Sequence, residues 1–88
     1  MNTVDLQTAR QTHLVTITVN EKPVMITGPK ATGLQIKEAA ISQHVEIKLD
    51  FVLSEELGDR RTRVVGDNEE ITVHEHSRFV AIPNDDNS

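Results

Sequence analysis

The sequence contains no cysteine, no tryptophan and no tyrosine, and its only aromatic residues are two phenylalanines. The absence of cysteine excludes disulfide bonds, thiolate metal sites and a cysteine nucleophile. No stretch approaches the roughly 20 apolar residues that a membrane span requires, and no apolar run of a signal peptide follows Met1. We therefore expect one small cytoplasmic domain, encoded by 88 residues, with no membrane partner.

Basic residues are also scarce, since nine lysines and arginines face fourteen acidic residues, for a net charge of −5. Their one cluster consists of Arg60, Arg61 and Arg63. Phosphate backbones are bound by clustered cations, and single strands also by stacking aromatics. Phe51 and Phe79 both lie inside apolar runs and are expected to be buried. This composition argues against a nucleic-acid partner and favours a protein partner.

Two segments near the start of the chain predict a β-hairpin. Val15, Ile17 and Val19 alternate with threonines, which is typical of a strand with one buried face. Turn residues follow at 20–23, and the apolar segment Val24–Thr27 then resumes in extended form before Gly28 and Pro29. Residues 1–12 mix polar residues with isolated apolar ones and are interpreted as a flexible N-terminal arm, with a short docking helix as the alternative.

A change of hydrophobic period predicts one helix after the hairpin. Thr32 and Gln35 have the spacing of a capping box, in which each side chain bonds the other residue's backbone amide. The helix should extend for about three turns and end near Ser42–Gln43. Its buried stripe is formed by Ile36, Ala39 and Ala40, and two further apolar residues are expected to pack at its ends, Leu34 and Ile41.

The second half of the chain predicts several short strands. Alternation from Val45 through Phe51 indicates a strand inside 46–54, with Leu53 facing the core and Val52 facing the other way. Residues 55–62 are charged, contain a glycine and are interpreted as a loop. A short edge strand is expected at Arg63–Val65, and such an edge leaves pairing with another copy open. The predicted elements that follow are a turn at 66–69, a strand at 71–73 and a last strand at 78–82.

Pro83 ends the last apolar run, and residues 84–88 are interpreted as a flexible acidic tail. The ordered domain is therefore expected to span residues 13–83. Its order of elements is a hairpin, one helix and several short strands. One helix can cover one face of a sheet, and a crossover helix brings the next strand back parallel to an earlier one. The predicted fold is α+β: a β-grasp, with a mixed sheet of four to five strands wrapped around one helix.

Two segments of the chain resemble the bacterial multiubiquitin domain, a ubiquitin-like module. They are the run ITVNEKPVMITGPKATGLQIKEAA and the turn-rich run GDNEEITVHEHSRFVAIP, and with their spacing the resemblance covers about residues 13–83. The resemblance implies a single-copy, non-enzymatic protein modifier of a ubiquitination-like conjugation pathway. Its implied partners are a ubiquitin-activating-like enzyme, a ubiquitin-conjugating-like enzyme, a deconjugating or processing peptidase, and target proteins.

The same resemblance makes the C-terminal segment the predicted reactive end, through a carboxylate that partner enzymes activate. This conjugation or processing tail comprises Pro83, Asn84, Asp85, Asp86, Asn87 and Ser88. Ubiquitin ends in two glycines, whereas this chain has no glycine after Gly66. Either a peptidase trims the tail, or the partner enzymes accept these side chains. The alternative function is a β-grasp interaction module, an adaptor or scaffold, that is never conjugated.

A partner-binding surface is predicted on the outer face of the sheet. If Phe79 faces the core, alternation along the last strand exposes its two neighbours of opposite parity, and the reverse assignment stays open. The predicted surface residues are Val52, Arg78, Val80 and Ile82. Arg78 could position an acidic partner.

No combination of residues predicts catalysis or a cofactor. The threonines alternate along strands, and the paired carboxylates lie in loops or in the tail, where solvent explains them. His74 and His76 are two apart, so they would point the same way in an extended segment. A zinc site needs at least one more ligand, and no third residue is placed beside them by the sequence, so we expect no metal site. His44, just after the helix, is expected to bond the last helical carbonyls.

Overall fold

The computed structural model describes residues 13–84, which form seven strands and one helix. In chain order these elements are β1 (His13–Val19), β2 (Lys22–Gly28), β3 (Lys30–Thr32), α1 (Gly33–Ser42), β4 (Val52–Glu56), β5 (Thr62–Val65), β6 (Glu70–Thr72) and β7 (Arg78–Ile82). Five strands form one sheet in the order β2-β1-β7-β4-β5, while β3 and β6 form a separate two-stranded sheet. The only parallel pair among these strands joins β1 to β7.

This mixed sheet with a single helix agrees with the predicted β-grasp fold. The hairpin of β1 and β2 is confirmed, and its two-residue turn consists of Asn20 and Glu21, whose φ angles are 53° and 69°. Positive φ at both turn residues is the geometry whose twist matches that of the flanking strands. Because an asparagine tolerates this backbone region, the sequence folds here without glycine.

The predicted helix is confirmed together with its capping box. The Gln35 amide donates to the Thr32 hydroxyl at 3.1 Å, and the Thr32 amide donates to the Gln35 side-chain oxygen at 2.8 Å. Ile36 and Ala40 are fully buried against the sheet, and Ala39 packs on the same core. Ile41, expected to pack at the end of the helix, is exposed instead. The helix ends one turn too early to fold that side chain over the core.

The core consists of alternate residues of the strands and one stripe of the helix, as both periods predict. Val15, Ile17 and Val19 of β1 are each at most 1% exposed, and Phe79 is the largest fully buried side chain. The remaining buried apolar residues are Val24, Ile26, Ala31, Ile36, Ala40, Val45, Ile47, Leu53, Val65, Ile71, Val73 and Ala81.

The strand predicted inside 46–54 is largely wrong, since β4 begins only at Val52. Val45 and Ile47 are buried, but they lie in a loop in which the Val45 amide donates to the Ala40 carbonyl at 2.9 Å. Their alternation therefore reflects loop residues packed against the core, and Leu49 of the same parity is 46% exposed. The facing of Leu53 into the core, with Val52 on the opposite side, is confirmed.

The loop predicted at 55–62 is shorter than expected. Glu55 and Glu56 belong to β4 and Thr62 belongs to β5, because these residues pair across the two strands. Arg63 explains why so charged a segment forms strands, since its guanidinium bonds Glu55 on the neighbouring strand and Glu69, each at 3.0 Å. The hydrogen bond from Glu55, with the negative charges nearby, raises the pKa of Arg63. The predicted edge strand is confirmed, as β5 is the last strand of the sheet.

Candidate functional site

The outer face of β4 and β7 brings together three of the four predicted surface residues. Phe79 and Ala81 are buried, so Val80 and Ile82 project to the side of the sheet away from the helix. Val52 lies directly opposite Ile82 in the antiparallel register. Val52 and Val80 are half-buried, and Ile82 is 53% exposed. The three side chains therefore form a small apolar surface, which we call the outer patch.

Arg78, the fourth predicted residue, lies at the other end of β7. Its side chain is 63% exposed, and its Nε lies 3.1 Å from the Glu56 carboxylate on β4. A groove of about 300 Å³ runs from Arg78 past Val80 to Ile82, with Thr18 and Asn20 among the residues on its other side. The arrangement offers an apolar surface with one cation at its border, which suits contact with a protein.

The predicted tail begins at the exposed residues Pro83 and Asn84, directly after β7. Asn84 lines a cavity of about 350 Å³ together with residues of the loop before β4 and of the turn after β5. The tail therefore starts at the Val52 end of β7 and not at the Arg78 end. Asp85, Asp86, Asn87 and Ser88, like the predicted arm at 1–12, lie outside the described residues.

The side chain of Asn20 holds β7 just before the tail. Its amide nitrogen donates to the Ala81 carbonyl at 3.1 Å, and its oxygen accepts from the Ala81 amide at 2.8 Å. The Asn20 backbone amide also donates to the Phe79 carbonyl at 3.0 Å. The strand pairing of β1 with β7 ends at Val19 and Phe79, so a side chain extends it by one more residue. Sequence reasoning assigned Asn20 only to a turn and missed this contact.

Replacing Asn20 with glycine is expected to lower the free energy of unfolding by about 1–2 kcal/mol, because two partly buried hydrogen bonds are lost. Glycine accepts the positive φ angle, so backbone strain does not contribute. Urea denaturation followed by circular dichroism measures the change, and amide exchange at Ala81 should accelerate. The matched variant Glu21→Gly changes the other turn residue, which has no side-chain bond to β7, and is expected to be neutral or slightly stabilising. Equal losses in both variants would contradict the role of Asn20.

Lys37 on α1 is the second residue that sequence reasoning missed. It is only 3% exposed, although the helix stripe gave no reason to bury it. Its ammonium group donates to the carbonyls of Leu49 and Phe51, at 2.5 and 2.9 Å, and lies 2.7 Å from the Asp67 carboxylate. Three N–H groups thus meet three oxygens, which compensates the loss of water. The contact fastens the helix to the loop before β4 and to the turn after β5.

The described residues offer little for metal chemistry. His74 and His76 do not lie in an extended segment, because residues 74–77 form a turn in which the Ser77 amide donates to the His74 carbonyl and His76 has a φ of 73°. Between residues 13 and 84, no group of three His, Asp or Glu residues could hold a metal ion. His44 bonds back to the helix as expected, its backbone amide donating to the Ile41 carbonyl at 3.0 Å.

A family model supplies the decisive comparison. The model for Multiubiquitin matches residues 15–84, which is most of the chain and nearly all of the described domain. The chain belongs to the multiubiquitin family. This agrees with the resemblance seen in the sequence and with the β-grasp arrangement of sheet and helix. No curated protein and no solved structure matches the chain significantly. Within residues 13–84, no helix has the length and hydropathy needed to cross a bilayer.

Proposed function

We propose that this multiubiquitin domain is a protein modifier in a bacterial conjugation pathway of the ubiquitin type, working in the cytoplasm. In this proposal an activating enzyme adenylates a carboxylate in the C-terminal segment. A conjugating enzyme then directs its transfer to target proteins, and a peptidase trims the tail or removes the modifier. Membership of the multiubiquitin family supports the proposal. The domain itself supplies no catalytic group.

The observation that carries the proposal is the way the chain leaves the sheet. β7 lies between β1 and β4, and the Asn20 side chain holds it as far as Ala81. Directly beyond, Ile82, Pro83 and Asn84 are exposed. A rigid central strand that continues into an accessible segment can present that segment to an enzyme pocket without unfolding the domain.

The outer patch is the proposed docking surface for the partner enzymes. Val52, Val80 and Ile82 lie beside the start of the tail, so an enzyme bound to them would have the reactive segment within reach. Arg78 at the far end of the strand would orient an acidic group of the partner, although Glu56 already contacts it. Replacing a rim cation of this kind changes association rate more than stability.

Incubating the chain with ATP and an activating enzyme encoded beside its gene is expected to yield a covalent adduct through the C-terminal segment. Deleting residues 84–88 should abolish the adduct if these residues carry the reactive carboxylate, and mass spectrometry of the adduct locates the bond. Deleting residues 1–12 is the matched truncation and should leave the adduct unchanged. If the chain is trimmed first, the mass identifies the new end at or before residue 84. An enzyme that binds the chain but forms no adduct would contradict the proposal.

An adaptor that is never conjugated is the second candidate, favoured by the absence of glycine after Gly66. Enzymes that take a thin glycine strip have little room for Pro83 and the side chains that follow it. An adaptor would bind partners through the outer patch whether or not residues 84–88 are present. Equal binding by the full and truncated chains, without ATP-dependent adduct formation, would identify this function.

A further inference from the structure

The two edges of the five-stranded sheet are treated differently, and the edge at β2 is largely closed. The register with β1 directs the backbone groups of Pro23, Met25 and Thr27 away from the sheet. Pro23 has no N–H group. The Met25 amide donates to the Gln43 side-chain oxygen at 2.9 Å, and the Met25 carbonyl accepts from the Gln43 amide at 2.7 Å. A proline and a glutamine side chain thus block another strand from pairing with β2.

The opposite edge, at β5, is open. The Leu57 amide donates to the Arg61 carbonyl at 2.8 Å, which makes these two residues a hydrogen-bonded pair of the β4–β5 ladder. Since such pairs alternate, the backbone groups of Thr62 and Val64 point away from β4. Between residues 13 and 84, no side chain bonds them. The Val64 side chain is 61% exposed, so this edge presents both free backbone groups and apolar surface.

We propose that β5 pairs with β5 of a second copy of this chain, antiparallel, about a two-fold axis at Val64. The pairing joins two five-stranded sheets into one continuous ten-stranded sheet. An interface of this kind uses the same surface on both copies and closes after two. The unpaired N–H and C=O groups of Thr62 and Val64 provide its hydrogen bonds, and both outer patches then lie on the same side of the joined sheet.

Charge selects this register among those that bring outward-facing residues together. An axis at Val64 places Arg61 of each copy opposite Asp67 of the other and lets the two exposed valines touch. An axis at Arg63 would place two arginines directly opposite each other, and an axis at Thr62 would place Arg61 opposite Arg63. Like charges in opposing positions destabilise a sheet, whereas opposite charges stabilise it. Asp67 is half-exposed despite its contact with Lys37, so it is accessible to a second cation.

Sedimentation equilibrium of the full chain tests the association. We expect the mass to rise with concentration from 9.8 kDa towards twice that value. Val64→Pro removes an outward N–H that β4 does not use, so it should preserve the fold and weaken association at least tenfold. Thr27→Pro makes the matched change on β2 and should leave association unchanged. A chain that stays at 9.8 kDa throughout, or a Val64→Pro chain that still dimerises, would overturn the proposal.

Cysteine cross-linking tests the register independently of any folding defect, because the chain has no cysteine of its own. Opposite residues in a hydrogen-bonded pair have Cα atoms about 5.5 Å apart, which suits a disulfide. Mild oxidation should therefore cross-link the V64C chain rapidly. In T62C the two positions lie four residues out of register, about 13 Å apart, and should cross-link at least tenfold more slowly. Equal rates, or faster cross-linking of T62C, would contradict the register.

Discussion

Replacing Phe79 with alanine should lower the free energy of unfolding by about 4 kcal/mol, the largest effect expected of any single substitution in this domain. Phe79 is 1% exposed and is the largest fully buried side chain. Its removal loses both the transfer of the ring from water and the contacts around the cavity that remains, which together cost about 3–5 kcal/mol. Small domains are stable by only about 5–15 kcal/mol. The midpoint of thermal unfolding should therefore fall by about 20 °C.

Val80→Ala is the matched control for this substitution, because it shortens the next residue of β7 on the other face of the sheet. Val80 is half-buried on the outer patch, so the expected loss is below about 1 kcal/mol. Circular dichroism in urea measures both variants, since the chain has neither tryptophan nor tyrosine for a fluorescence signal. A larger loss for Val80→Ala than for Phe79→Ala would reverse the two faces of β7 and remove the outer patch.

Replacing Lys37 with methionine should cost about 3 kcal/mol. Methionine fills nearly the same volume, so the loss arises from polarity and not from a cavity. The change leaves the carbonyls of Leu49 and Phe51 without their donor and ends the ion pair with Asp67. Losing one partner of a buried charged contact costs about 3–5 kcal/mol, and the half-exposed Asp67 places this case at the lower limit.

Lys48→Met provides the control, as Lys48 is an exposed lysine in the loop that Lys37 fastens. It should change the free energy of unfolding by less than about 0.5 kcal/mol. In Lys37→Met we also expect faster amide exchange in residues 45–51, because the loop loses its attachment to the helix. Equal effects of the two lysine substitutions would show that the buried contact contributes no stability.

The elements that sequence alone predicted are those in which local chemistry and burial agree. Branched residues in alternation gave β1, the capping box of Thr32 and Gln35 gave the start of the helix, and the parity of Leu53 against Val52 gave the face of β4. Each of these signals depends on residues within a few positions of one another. For this reason the β-grasp arrangement followed from the order of the elements.

The features that sequence did not predict depend on contacts between distant residues. The alternation at Val45 and Ile47 has the period of a strand, yet these residues pack from a loop because no neighbouring strand pairs with them. Strand β3 is only three residues long and exists through its pairing with β6. The contacts of Asn20 with Ala81 and of Lys37 with the loop before β4 join positions that only the folded chain brings together. Propensity cannot indicate such partners.

The parallel pairing of β1 with β7 determines how the domain bears mechanical load. β1 begins at His13 and β7 ends at Ile82, so a pull that separates these two ends slides the strands along each other. Their hydrogen bonds, including those of Asn20, are then loaded together and must break together, whereas a hairpin would open one bond at a time. When a force-driven machine draws on one end while the other is fixed, the rate of this single rupture sets the lifetime of the fold.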